Sequence, residues 1–189
     1  MAALLDVVTV GYVGERVAGT VVLIRDEASV IVVDPGMVAQ RSDILGPLRA
    51  LGVGPDDVTD VVLSHHHPDH TVNIALFGNA VVHDFMATYD RDLWIDHDFD
   101  GGDRSLTSSV RLLRTPGHTP EDLSTLVETG DGLIACTHLW WTADGPADDP
   151  FAPDREQLRE SRELLLGLRP ALIVPGHGEP FTATDATPI

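Results

Sequence analysis

SHHHPDH, residues 64–70, packs four histidines and one carboxylate into a single short loop. VTDVVLS (58–64) leads into it, and its β-branched and apolar residues predict a buried strand. TVNIALF (71–77) predicts a short helix after it, ending at Gly78. Alternate residues of an extended segment point the same way, so His65 and His67 can share one metal ion. Pro68 restricts the residue before it and helps hold the segment extended. Asp69 and His70 sit where the chain turns into the helix and can face a second ion. His66 points away from its neighbours and is read as a bystander. Imidazole nitrogens with one carboxylate suit zinc, with iron or manganese as alternatives, far better than calcium or magnesium.

A metal needs further ligands, and two distant motifs offer them. TPGHTP (115–120) and VPGHGEP (174–180) each place a histidine, His118 and His177, in a Pro-Gly turn at the end of a strand. Such turns hold an imidazole at a sheet edge with little conformational freedom.

The remaining chain alternates strands with few helices. VVTVGYV (7–13), TVVLI (20–24) and SVIVVD (29–34) predict strands, with DPG (34–36) as a turn. A helix is expected over 41–51, stopped by Gly52, and GPDD (54–57) is a turn. NAVVHDF (79–85), VRLLRT (110–115), LSTLVET (123–129), GLIACTH (132–138) and ALIVPGHG (171–178) complete the predicted strands. A second helix is expected over 154–168, while residues 86–104 look polar and irregular. Strands dominate both halves, and a helix follows each set. The expected architecture is α/β, a four-layer αββα sandwich forming one domain over 1–189.

Thirty acidic residues against twelve basic ones leave a formal charge of −18. That balance argues against nucleic-acid partners and disfavours phosphate esters. No apolar run is long enough to span a membrane, and the first residues lack the basic start of a secretory signal. With a single cysteine, Cys136, a cytoplasmic location is expected. A homodimer is compatible with the composition.

HHHPDH, TPGHT, PGHG and VVDPG (32–36), in this order through nearly the whole chain, resemble the metallo-β-lactamase fold superfamily. Within it the chain is most similar to the small proteins that carry no extra domain. The resemblance implies the αββα sandwich with a metal site at one edge. It places one metal on His65, His67 and His118, and a second on Asp69, His70 and His177. It also implies a hydrolase that directs a metal-bound hydroxide at a small ester, thioester, lactone or amide. Asp69 is then the catalytic group that orients the hydroxide and accepts its proton. One or two zinc ions per chain are expected. Three alternatives stand beside this reading: a mononuclear iron, oxygen-dependent oxidoreductase; a phosphodiesterase or nuclease on the same fold; and a metal-binding protein without catalysis.

One position departs from the family. Where a bridging aspartate is usual, this chain has His138, which follows Thr137. A neutral imidazole offers one lone pair where a carboxylate can bridge two ions. His138 is kept as a seventh candidate ligand, with Asp144, Asp148 or Asp149 as sources of a replacement carboxylate. Several lesser features receive bland readings. DHDFDGGD (96–103) resembles the start of a calcium loop, but its twelfth position is Thr107, so a solvated hairpin with an exposed His97 is expected. His83 and Cys136 are taken as structural and Asp34 as an orienter of ligands. Trp140 or Trp141, and Phe85, Tyr89 and Trp94, are candidates for pocket walls.

Overall fold

Val21–Asp26 and Ser29–Val33 are apolar at nearly every position, not at every second one, so both faces of these strands need cover. The computed structural model, which describes residues 2–97, 99 and 102–189, supplies that cover. A first sheet contains β1 (Leu4–Thr9), β2 (Val21–Asp26), β3 (Ser29–Val33), β4 (Asp60–Val62), β5 (Val81–His83), β6 (Ala87–Asp90) and β7 (Leu93–Asp96), in that spatial order. A second runs β12 (Leu172–Pro175), β11 (Gly132–Thr137), β10 (Leu123–Thr129), β9 (Val110–Arg114) and β8 (Asp103–Ser105). Facing side chains from both sheets, including Val22, Ile24, Ile31 and Val62 against Leu112, Leu123, Val127 and Cys136, fill the space between them.

The outer faces are covered by helices. Val21, Leu23, Val32 and Val61 point the other way, onto Ile44 and Leu48 of α1 (Ser42–Ala50). Leu126, Ala135 and Ile173 pack onto Leu158 and Leu165 of α3 (Arg155–Gly167). α3 starts where expected, because the Asp154 carboxylate accepts from the N–H groups of Glu156 and Gln157. The expected αββα layering is therefore present. No described helix is long and apolar enough to cross a membrane.

Strand direction positions the site. β3, β4 and β5 are parallel neighbours, joined through α1 and through α2 (Pro68–Thr71). β9 and β11 are both antiparallel to β10, and β12 is parallel to β11. The carboxyl ends of β9, β11 and β12 thus lie at one edge of the second sheet, the end of an α/β layer where ligands are usually bound.

Several expectations need correction. Residues 86–104 are not irregular: they contain β6, β7 and the start of β8. β7 is solvent-exposed along its whole length and β8 nearly so, and neither shows the alternation that marks a half-buried strand. Asp96 and Asp103 belong to strands of different sheets, so the 96–103 stretch is not a hairpin. Asp98, Asp100 and Gly101 within it lie outside the described residues. The first strand spans Leu4–Thr9, not 7–13. The helix expected over 71–77 is one turn at Pro68–Thr71 and a 3-10 turn at Ile74–Leu76.

Candidate metal centre

The loop after β4 delivers His65 and His67, α2 delivers Asp69 and His70, and the turns after β9, β11 and β12 deliver His118, His138 and His177. All seven candidates converge. His65, His67 and His118 offer ligand atoms within 4.8 Å of one another, as do Asp69, His70 and His177. His138 joins a third such group with His65 and His70. Its ring also packs against those of His118 and His177, so it touches both of the other groups.

Hydrogen bonds on the far side of each ring decide which nitrogen faces inward. A carboxylate or a carbonyl can only accept, so the ring nitrogen beside it must carry the proton. His70 Nδ1 donates to Asp34 Oδ2 at 2.9 Å, His118 Nδ1 to Asp149 Oδ2 at 2.7 Å, and His177 Nδ1 to the Ala18 carbonyl at 2.8 Å. Ser64 Oγ gives its own proton to Asp34 Oδ2 at 2.6 Å and so accepts from His65 Nδ1 at 2.9 Å. In their neutral form, the form that binds a metal, four imidazoles therefore turn an unprotonated Nε2 inward. His65 Nε2 and His118 Nε2 each lie 3.0 Å from His67 Nδ1. His138 Nε2 lies 3.3 Å from His177 Nε2. Within the cluster two buried atoms, His70 Nε2 and His138 Nδ1, have no hydrogen-bond partner among the described residues.

Lone pairs aimed at lone pairs repel unless a cation sits among them. A tetrahedral ion with bonds of about 2.0–2.1 Å would hold its nitrogens about 3.3 Å apart, close to the separations seen. The donor set therefore fits a metal ion. Electrostatics agrees: burial and neighbouring imidazoles push His65 and His138 well below the ordinary histidine range, and His67 and His177 are lowered for the same reasons. His70 differs. Burial opposes its charge, but Asp34 and Asp69 carry its pKa upward.

Glycines make this crowding sterically feasible. A Cβ on Gly36 would fall 1.6 Å from the Asp69 carbonyl oxygen, and one on Gly176 would fall 2.1 Å from His138 Cδ2. The Gly of the PGHG motif thus leaves the space that His138 fills. The TPGHTP turn is held by Asp122, whose carboxylate accepts from Thr119 Oγ1 at 2.6 Å and Thr119 N at 3.1 Å. Burial raises the Asp122 carboxyl to about 6 even though these bonds pull it down.

A cavity of about 270 Å³ opens over the cluster, lined by Val13, Val17, Pro68, Trp141 and Phe151 with His67, Asp69, His118, His138 and His177. No arginine is among the lining residues, and the chain has no lysine. Phe151 was missed from the sequence, where a lone aromatic in a polar loop carries no signal. Trp141 lines the cavity, whereas Trp140 is fully buried against α3. Phe85, Tyr89 and Trp94 do not contribute. Phe85 packs on the inter-sheet core, Tyr89 donates to Asp84, and Trp94 is exposed on β7. Asp149 supplies no bridging carboxylate, because its oxygens are occupied by His118, Trp141 and the Phe151 N–H. Asp144 and Asp148 are exposed.

The other histidines lie elsewhere. His66 pairs with Asp84 and Glu121, and His83 bridges Thr88 and Asp60. His97 is half-buried, not exposed, and bonds to Thr88 and Arg104. Cys136 is buried, and burial raises its thiol pKa. Asp34 hydrogen-bonds to His70 directly and to His65 through Ser64.

The family model of the metallo-beta-lactamase superfamily matches residues 14–177. Metallo-beta-lactamase domain-containing protein 1 of Xenopus laevis is 34% identical over 174 residues, an alignment covering 86% of this chain and 72% of that protein. The Homo sapiens protein of the same name is 35% identical over 164 residues, covering 80% of this chain and 59% of its own length. Among solved structures, an N-acyl homoserine lactone hydrolase with N-hexanoyl-L-homoserine at its catalytic metal centre superposes with a TM-score of 0.68. It is 21% identical, and the match covers 93% of this chain and 92% of that one.

Proposed function

The chain belongs to the metallo-beta-lactamase superfamily, and on that premise we propose that it is a zinc-dependent hydrolase of small, uncharged esters, thioesters or lactones. The observation that carries this reading is the ring of inward-facing Nε2 lone pairs at the floor of a cavity whose walls are apolar and carry no arginine. His65, His67 and His118 would hold one ion, and Asp69, His70 and His177 the other, with His138 beside both. Zinc bound there supplies Lewis acidity and lowers the pKa of coordinated water toward ~7.

The chain's own residues do the rest. Asp69 Oδ2 lies 3.5 Å from His70 Nε2 and 3.6 Å from His177 Nε2, at the cavity wall. From there it orients the attacking water, accepts its proton and returns it to the leaving group. Val13, Val17, Trp141 and Phe151 pack on the apolar part of a substrate and keep bulk water out. A carboxylate or phosphate substrate would find no arginine or lysine among the lining residues, and the charge of −18 would repel it at long range. A hydrolase of the same fold acts on an N-acyl homoserine lactone, an uncharged lactone with an apolar acyl chain, which is a substrate of the proposed kind. Both sheets contribute to one site, which supports a single domain. Cys136, the sole cysteine, suits the cytoplasm.

The test is metal analysis of protein purified without added metal, with p-nitrophenyl esters, thioesters and lactones as substrates. Zinc, with hydrolysis lost on chelation and restored by zinc, is the expected result. Asp69→Asn should lower kcat by about 10²–10⁴-fold. Iron with oxygen consumption, or tight salt-sensitive RNA binding, would overturn the proposal. His138→Asp reports on stoichiometry: two zinc ions in the wild type mean that His138 supports a pair, and one there with two in the variant means that it forgoes one.

A further inference from the structure

We propose that Asp149 is a positioning residue that couples the metal-facing imidazole of His118 to an acyl-binding wall formed by Trp141 and Phe151. The proposal rests on the hydrolase reading above for its substrate class, but its geometry is independent of it.

Asp149 is buried, 1% exposed, and three N–H donors converge on its two oxygens. Oδ2 accepts from His118 Nδ1 at 2.7 Å and from Trp141 Nε1 at 2.8 Å, and Oδ1 accepts from the Phe151 backbone N–H at 2.9 Å. The Trp141 and Phe151 rings stack at 5.8 Å and 28°, and the His118 ring lies 5.9 and 5.7 Å from them. One carboxylate thus fixes the tautomer of a metal-facing histidine and the placement of both aromatic rings at the cavity mouth. The segment before it is anchored independently. Arg162 of α3, fully buried, donates to the carbonyls of Leu139, Pro146 and Ala147. Phe151 is 62% exposed, so an apolar chain laid across it would cover a surface that the described residues leave open. The ligand class is an uncharged ester or lactone whose acyl chain runs from the metal cluster over Trp141 and Phe151.

In Asp149→Asn the new amide would offer one acceptor oxygen to three donors, so one side must set N–H against N–H. For this variant we expect zinc affinity, measured by competition with a chromophoric chelator, to fall about 10–100-fold. The preference for p-nitrophenyl hexanoate over the acetate, carried in KM, should disappear with it. Phe151→Ala and Trp141→Phe touch no core and separate the two limbs. Both should keep zinc affinity within about threefold while lowering the hexanoyl preference: Phe151→Ala removes apolar contact alone, and Trp141→Phe removes the Nε1 hydrogen bond to Asp149 as well but leaves the bond between Asp149 and His118 in place. Zinc affinity unchanged in Asp149→Asn, or a chain-length preference unchanged in all three variants, would overturn the proposal.

Should the wild type hydrolyse neither ester, the hydrolase reading fails and binding decides the coupling. Hexanohydroxamate and acetohydroxamate, followed by tryptophan quenching of the zinc-loaded protein, are the probes. Hexanohydroxamate bound at least about tenfold more tightly by the wild type alone supports the wall. Equal binding of the two refutes it.

Discussion

Asp34→Asn is the sharpest test of how the centre is held. Asp34 accepts three hydrogen bonds while 5% exposed: Ser64 N at 2.7 Å on Oδ1, and Ser64 Oγ at 2.6 Å and His70 Nδ1 at 2.9 Å on Oδ2. Its φ of 51° lies in the left-handed region, which asparagine tolerates, so the exchange adds no backbone strain. What changes is acceptor capacity. The amide must turn its NH₂ toward Ser64 N or toward the His70 side. One buried donor left without an acceptor costs about 2 kcal/mol. In a chain of this size that lowers Tm by about 4–8 °C in metal-free protein. If the NH₂ faces His70, the imidazole answers by moving its proton to Nε2, the nitrogen needed inward. Zinc affinity should then fall about 10–100-fold. Calorimetry of the apoprotein reads the first effect and chelator competition the second. Undiminished zinc affinity both here and in Asp34→Ala, which leaves His70 Nδ1 no acceptor at all, would mean that Asp34 supports the loop without orienting a ligand, and the tautomer reasoning would be wrong.

Gly36→Ala should destabilise the protein by about 1–3 kcal/mol and release zinc, because the new Cβ would meet backbone 1.6 Å away at Asp69; zinc retention at wild-type affinity would contradict the close packing. Leu112→Ala, fully buried between the sheets, should cost about 2–5 kcal/mol in urea denaturation while leaving zinc stoichiometry intact. His97 is lowered to about 4 by burial and by Arg104. The unfolded chain therefore binds a proton there between pH 6.5 and 4 that the folded chain does not, and stability falls as pH drops through that window. His97→Asn should flatten that limb of the Tm-against-pH curve relative to wild type.

The histidine-rich loop is legible because its residues adjoin in sequence and follow an apolar strand, and the Pro-Gly-His turns because their backbone constraint is written locally. The helices at 42–50 and 155–167 were equally plain, since each repeats its apolar residues at helical spacing over two or more turns. β7 and β8 were not, because exposed strands lack the contrast between faces that a sequence reading detects. Asp149 was noticed only as a spare carboxylate. Its partner His118 lies 31 residues away, and nothing local distinguishes an acid that binds an ion from one that binds the imidazole behind it. His97 was misplaced for a related reason: Arg104, which covers it, enters from across a turn-rich stretch with no apolar pattern.

The candidate ligands are divided between the two sheets, four from the loop after β4 and from α2, and three from the ends of β9, β11 and β12. This division gives the site an order of assembly on the ribosome. A nascent chain that has emerged through residue 70 already carries the histidine-rich loop, but it can grip a cation there only weakly and without a fixed geometry. His177 is made last and reaches the cluster only when β12 aligns beside β11. On the proposed metal reading, selection among competing cations is thereby deferred to the finished fold, whose rigid turns, not the affinity of the loop alone, would decide which ion stays.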